Sequence, residues 1–169
     1  MKNPFKNSGL VLILSALIFT VSSCSKDDSP AYNSNNNGNI NIANLQAQIN
    51  SLPKEPLNPA ELASLAFMRE EEKLARDVYI TLFNKWGVKI FTNISNSEQK
   101  HMDAILLLLN KYSITDPAGS NAVGVFTNST LQNFYTQLVA QGNTSVLEAY
   151  KVGATIEDLD IFDLKNPLK

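Results

Sequence analysis

The stretch Ser97-Glu98-Gln99-Lys100-His101 is the part of this 169-residue chain that most constrains its fold. It lies in the first turns of a predicted helix that continues through the apolar block Ile105–Leu109 and ends near Tyr112. Helical spacing places Glu98 and His101, the only histidine of the chain, on the apolar face of that helix. A buried carboxylate and a buried imidazole cost free energy unless they are paired or bind a ligand. Such pairs commonly hold metal ions in helix bundles.

A second acidic cluster lies on a longer predicted helix, which begins at Pro59 and runs to about Lys85. At 100° per residue, Glu71 lies near the centre of its apolar stripe, Glu70 lies off the stripe and Glu72 lies at its margin. A run of three acids is usually a solvated charged face. The stripe continues on both sides of Glu71, however, so we expect that side chain to be buried.

A third acid is predicted to be buried on the last helix, which runs from about Ser145 to about Asp163. Glu157 lies in the middle of its apolar face, and Gly153 on the same face allows another helix to approach closely. Asp160 follows one turn later. The alternative is that Glu157 and Asp160 belong to an exposed acidic face.

Simpler explanations exist for the pair on the middle helix as well. Glu98 could be an acid favoured by the dipole of the first helical turn. His101 could be a core histidine that is hydrogen-bonded to a neighbour.

The three acids and the histidine lack obvious cationic partners. Arg69 and Arg76 point about 140–160° away from Glu71 on the same helix. A buried charge without a partner costs several kcal/mol. A divalent metal would compensate the carboxylates, and carboxylate oxygen with imidazole nitrogen suits Fe or Mn.

The remaining pattern is helical throughout. Apolar residues at spacings of three and four predict a short helix over residues 42–52, and another is predicted from about Leu131 to Ala140. No stretch alternates as a strand does. The fold class is therefore predicted to be all-α, with the folded domain over residues 56–169.

The first 55 residues have a different character. Lys2 and Lys6 precede an apolar run that ends before Cys24, so residues 1–23 are predicted to be a lipoprotein signal peptide and Cys24 its lipidation site. The alternative is an ordinary signal peptide with a chance cysteine. Residues 24–55 are expected to be a flexible tether that contains the short helix. Lipidation would place the protein in the cell envelope, on the outer membrane of a Gram-negative bacterium.

Charge narrows the range of partners. The chain carries 14 basic and 16 acidic residues, for a net charge of −2. There is no basic patch of the kind that binds nucleic acid.

Three motifs resemble a known family. The blocks Phe67–Tyr79, Ser97–Met102 and Gly153–Ile161 look like those of the DUF2202 domain, a ferritin-like family of unknown function, in the same order and over about residues 56–165. The resemblance implies an antiparallel four-helix bundle that holds one or two Fe or Mn ions. It implies as metal ligands Glu71, Glu98, His101 and Glu157, with Glu72 and Asp160 as secondary candidates.

The resemblance is incomplete, because the family pattern continues into a fourth helix that carries a further histidine. With one histidine in the chain, a second Glu-x-x-His motif is impossible. The bundle is therefore predicted to be incomplete, its fourth helix absent or replaced. A homodimer or another partner could complete it, the helix over 42–52 could cover it, or the chain could be a truncated relative that binds one metal or none.

Two functions follow from these patterns. The first is a membrane-anchored ferritin-like metal-binding protein whose chemistry would be iron binding and oxidation at a carboxylate-bridged site. The second is a non-catalytic envelope lipoprotein in which a vestigial metal site remains within a binding or scaffolding module. The sequence leaves open whether the protein is an enzyme.

Overall fold

Five helices make up the part of the protein that the computed structural model describes, residues 40–165, with side chains described for residues 40–159. They are α1 (Ile42–Ser51), α2 (Pro59–Trp86), α3 (Lys89–Tyr112), α4 (Ser129–Gly142) and α5 (Val146–Lys165). Residues 40–165 contain no strand, which confirms the all-α class. Within this range no helix is both long and apolar enough to cross a membrane. Cys24 and the side chain of Asp160 lie outside the described residues.

Helix α2 begins and ends where its sequence predicts. The side chain of Asn58 accepts hydrogen bonds from the backbone of Ala60 and Glu61, and Glu61 accepts one from the backbone of Asn58. This reciprocal arrangement is a capping box, with Pro59 at the first helical position. At the other end Gly87 adopts the left-handed conformation, with φ of 66°, and terminates the helix.

Helix α3 begins earlier than predicted. It starts at Lys89, with only Gly87 and Val88 between the two helices, so the stretch from Ser97 to His101 does not lie in its first turns. Val88 precedes it without a side-chain capping hydrogen bond, while Phe91 in the first turn is buried. Burial of the phenyl ring thus outweighs the missing cap, and Glu98 lies well inside the helix. The first-turn explanation of Glu98 is therefore wrong.

Helix α2 lies at the centre of the bundle. The short Gly87-Val88 connection folds α3 back antiparallel to α2, and these two helices make the most extensive contact in the structure. Helices α4 and α5 pack on each other and both contact α2, while α1 packs on α3. Lys111 donates hydrogen bonds to the carbonyls of Ile49 and Leu52, which satisfies the C-terminal end of α1.

The core follows from this arrangement. Tyr79 and Leu82 of α2, Phe91 of α3, and Val152 and Ile156 of α5 belong to one cluster of buried side chains. Because α2 contributes to the cluster and also faces α3, most of its circumference is removed from solvent.

The charged residues of α2 hold the loop between α3 and α4. The guanidinium of Arg69 binds both carboxylate oxygens of Asp116, at 3.0 and 2.9 Å. The carboxylate of Glu70 accepts hydrogen bonds from the backbone N–H groups of Thr127 and Asn128, just before α4. Glu70 is only 3% exposed, so the expectation that it lies off the buried face is wrong.

One turn further along α2 lies a buried ion pair. Lys73 and Asp77 are 1% and 0% exposed, and the Lys73 ammonium donates to the Asp77 carboxylate. Asp77 also accepts from the guanidinium of Arg76 and from the backbone N–H of Gly124, and Lys73 donates to the carbonyl of Ala122. Helix and loop therefore share one network of charge-assisted hydrogen bonds.

This network predicts an asymmetry between two substitutions. Asp77→Ala leaves Lys73 charged and buried without its carboxylate, and we expect it to lower the free energy of unfolding by about 3–5 kcal/mol. Lys73→Met should cost less, because Asp77 keeps Arg76 and Gly124 as partners. Urea unfolding of both variants measures the difference. Equal losses, or a larger loss for Lys73→Met, would contradict this account.

Candidate metal centre

Helices α2 and α3 bring three potential metal ligands together. The Nδ1 atom of His101 lies 2.8 Å from Oε2 of Glu98 and 3.2 Å from Oε2 of Glu72. One ligand atom from each of the three side chains lies within 4.8 Å of the others. Among the residues that the structure describes, this is the one group of at least three acids, histidines or cysteines close enough to share an ion.

The three side chains are largely removed from water. Glu72 and Glu98 are 9% and 5% exposed, and the side chain of His101 is 13% exposed. Burial, together with the charge of Glu98, raises the pKa of Glu72 to about 7, although the contact with His101 opposes the shift. Burial lowers the pKa of His101, but its two carboxylate partners outweigh this and raise the pKa to about 10. Without metal, an imidazolium therefore lies between the two acids at neutral pH.

Local helix geometry explains the cluster. Glu98 and His101 are three residues apart on α3 and so lie on one face, as predicted. The antiparallel neighbour α2 presents Glu72 to that face. Leu65 and Tyr79 lie seven residues before and after Glu72 on α2 and are both buried, so Glu72 lies on a second buried stripe of this helix.

The prediction that Glu71 supplies the α2 carboxylate of this group requires a correction. Glu71 is half-buried and lines a separate pocket of about 240 Å³. The pocket is formed by α2, α4 and α5, and its other lining residues are Phe67, Leu74, Thr130, Leu131, Phe134, Ile156 and Leu159. Placing the residues at 100° intervals around the helix identified only one apolar stripe, whereas α2 is buried on several sides. Glu72, the secondary candidate, therefore takes the place next to α3.

Glu157 approaches the cluster from α5. Its carboxylate Oε1 accepts a hydrogen bond of 3.0 Å from the hydroxyl of Tyr79. Burial of the carboxyl group and the charge of Glu98 raise the pKa of Glu157, while the Tyr79 hydrogen bond and the charge of His101 lower it. The residue as a whole is exposed, so the prediction of a buried Glu157 is wrong. The reason is that α3 and α5 make little contact, which leaves this face of α5 open.

The sequence contained a signal for Glu72 that a single apolar stripe does not reveal. Glu72, Ala75, Tyr79 and Leu82 recur at spacings of three and four, and the last three are fully buried. A helix with two apolar stripes is a central helix, and polar residues on either stripe are candidates for a site. Arg69, Lys73 and Asp77, which the sequence analysis did not recognise as buried, lie on the remaining side, which faces the loop.

The donor set suits a divalent transition metal. Two carboxylate oxygens and one imidazole nitrogen are ligands for Fe or Mn, and three protein ligands leave further coordination positions open. The same three groups can also satisfy one another as an ion triad, because Nδ1–H lies within hydrogen-bonding distance of both acids.

The comparisons with known proteins agree with this architecture. Residues 61–169 match the family model described as "Uncharacterized protein domain (DUF2202)". The uncharacterized protein MJ0754 of Methanocaldococcus jannaschii is 56% identical over 117 residues, which are 69% of this chain. The chain spans 63% of the length of that curated relative. The crystal structure of the hypothetical protein MJ0754 superposes with a TM-score of 0.66 at 52% identity, over 70% of each chain. The protein therefore belongs to the DUF2202 family.

Proposed function

We propose that this protein is a ferritin-like metal-binding protein that holds an Fe or Mn ion between α2 and α3. The observation that carries the proposal is the convergence of Glu72, Glu98 and His101 within 4.8 Å. These three residues would be the ligands, and Glu157 would lie beside them. The proposal replaces Glu71 by Glu72 in the predicted ligand set, and it involves one ion rather than two.

The chemistry of the residues fits such an ion. Two carboxylates on a largely buried face favour a divalent cation, and the pair on α3 has the Glu-x-x-His spacing used in carboxylate metal sites of helix bundles. A bound iron would supply one-electron redox chemistry with O₂ or peroxide. The protein residues would bind the ion, fix its position and limit access of water.

The second candidate is a non-catalytic envelope module in which the cluster is purely structural. One observation favours it: Nδ1 of His101 contacts both acids, which satisfies all three groups without an ion. Metal binding and the structural triad differ in a measurable way, because only the former makes stability depend on metal.

The first prediction from this site separates the two candidates and tests the ligand set. At 100 times Kd, a metal that binds only the native state should stabilise the wild type by about 2.7 kcal/mol. We expect Glu72→Ala and Glu98→Ala to abolish this stabilisation by Fe(II) under anaerobic conditions or by Mn(II), and the matched control Glu71→Ala to retain it. Thermal unfolding with and without metal, together with elemental analysis, measures both effects.

Three outcomes of that experiment can be distinguished. No stabilisation of the wild type would leave the structural module as the function. Loss of stabilisation in Glu71→Ala with retention in Glu72→Ala would restore the ligand set predicted from the sequence. Retention in all variants would place the metal elsewhere.

A second prediction concerns the number of protons that are released when a metal ion binds. Because the pKa of His101 is raised to about 10, Nδ1 carries a proton at pH 7 and must lose it before it can bind a metal. Metal binding should therefore release at least one proton, and affinity should rise with pH until about pH 10. Calorimetric titration with Mn(II) in two buffers of different ionisation enthalpy counts the protons. Binding heats that do not depend on the buffer would show that the histidine is not a ligand.

Attachment to a membrane through a lipidated Cys24 is part of the same proposal. Its support is the sequence of the first 24 residues, and it would place the domain in the cell envelope of a Gram-negative bacterium. We expect Cys24→Ser to move the protein from the membrane fraction to the soluble fraction of the expressing cell. An unchanged distribution would argue against the lipid anchor.

We also propose association with a second copy. Ile90 of α3 and Leu147 and Tyr150 of α5 are exposed by 43%, 64% and 49%. The ring of Tyr150 lies 5.4 Å from that of Phe91, so these side chains lie at the same end of the bundle. Exposed apolar surface of this kind favours self-association.

A further inference from the structure

Residues 117–147 form a segment without a charged side chain. The chain carries 14 basic and 16 acidic residues, yet none of them lies between Asp116 and Glu148. The segment comprises most of the loop between α3 and α4, the whole of α4 and the beginning of α5. Soluble domains usually carry charge on about a quarter to a third of their surface, so an uncharged segment of this length requires an explanation.

The missing charges leave the exposed side of α4 neutral. Asn133, Gln137 and Ala140 are exposed and recur at spacings of four and three, so they form a stripe along the helix. Leu131 and Leu138 are buried on the opposite side. The helix is thus amphipathic, but its outer side presents amides, hydroxyls and methyl groups to solvent instead of charges. We call the exposed side chains of this segment the uncharged face.

The loop before α4 adds apolar side chains to the uncharged face. Val123 and Val125 are each 47% exposed. Gly124 between them adopts a φ of 79°, and a Cβ atom at this position would lie 2.7 Å from the ring of Tyr135 on α4. The side-chain amide of Gln132, also on α4, donates a hydrogen bond to the carbonyl of Gly124. The backbone between the two valines is therefore held closely against α4, while their side chains remain open to solvent.

The buried charges of α2 hold this loop from its inner side. The carbonyl of Ala122 accepts a hydrogen bond from the ammonium of Lys73, and the N–H of Gly124 donates one to the carboxylate of Asp77. Lys73 and Asp77 are almost completely buried, so they fix the loop without contributing charge to its surface. A surface that is ordered before binding loses less conformational entropy when a partner binds to it.

The absence of charge also indicates what kind of partner fits. Depletion of charged residues distinguishes the centre of protein interfaces from the remaining surface. A partner with charged groups at the contact would lose their hydration and find no opposite charge on the uncharged face. A second copy of the chain offers a matching neutral face. Two copies each carry a net charge of −2, so they repel each other least when they approach through a side without charges.

We propose that the uncharged face of α4 and its preceding loop is a self-association surface that binds the same face of a second copy. A contact of this kind is isologous, because one patch serves on both subunits. The inference rests on the association proposed above and deepens it, since it places the centre of the contact on α4. Leu147, which is 64% exposed, ends the uncharged segment and also belongs to the apolar residues that favour association.

The test places one charge on the uncharged face of the whole chain, which carries Cys24→Ser to remove the proposed lipid. Sedimentation equilibrium measures the dimer dissociation constant. We expect Ala140→Glu and Ala140→Lys each to raise it about 100-fold or more, because like charges then meet across the contact. Both signs are used, since a charged partner of another kind would favour one of them. Ala47→Glu is the matched control, because Ala47 is an exposed alanine on α1, which packs on α3.

The outcomes separate this surface from the association itself. Unchanged dissociation constants in both Ala140 variants would overturn the inference, and Gln137→Glu on the same stripe gives the same decision if those variants fail to fold. Dissociation in Ala154→Glu but not in Ala140→Glu would overturn it as well. Ala154 is exposed one turn after Tyr150 on α5, so that result would leave the association in place and move its contact to α5. A wild type that is monomeric at every concentration would show that the proposed association is wrong, and the inference would fall with it.

Discussion

The burial of α2 on several sides is the constraint on which the rest of the structure depends. A central helix that carries Arg, Glu, Lys and Asp side chains must provide a partner for each buried charge, since an unpaired one costs several kcal/mol. The chain meets this requirement in separate directions. Arg69 and Glu70 bind the loop between α3 and α4, Lys73 and Asp77 pair with each other, and Glu72 contacts α3. The polar residues thereby fix which segment packs on which side of α2.

The same requirement explains why the fold could be predicted further than the site. The spacing of apolar residues, the capping box at Asn58 and the glycine at position 87 are local signals, and each determines one helix or one helix end. The spacing of apolar residues predicted the all-α class and four of the helices to within a few residues. The start of α3 was missed because Phe91 is held by the tertiary core rather than by a cap.

The choice between Glu71 and Glu72 depends on the position of neighbouring helices, which no local signal contains. The two residues differ by 100° around α2. Only the packing of α3 on one side and of α4 and α5 on another shows which of them meets His101 and which lines a pocket. For a surface helix one apolar stripe identifies the buried face. For a central helix the second stripe must be sought, and here it passes through Glu72 and Tyr79.

If the cluster binds metal as proposed, a proton and the metal ion compete for one nitrogen atom of His101. With the pKa of His101 raised to about 10, removal of its proton at pH 7 costs on the order of 4 kcal/mol, since each pKa unit corresponds to about 1.4 kcal/mol. An ion that enters between Glu72 and Glu98 replaces the charge of the imidazolium with two positive charges. For binding to be favourable, the attraction between the ion and the two carboxylates must exceed the attraction that is lost when the imidazolium gives up its proton. The acids that stabilise the triad are therefore also the groups that would favour its replacement by an ion, and the nearby carboxylate of Glu157 would add to the attraction for a divalent cation.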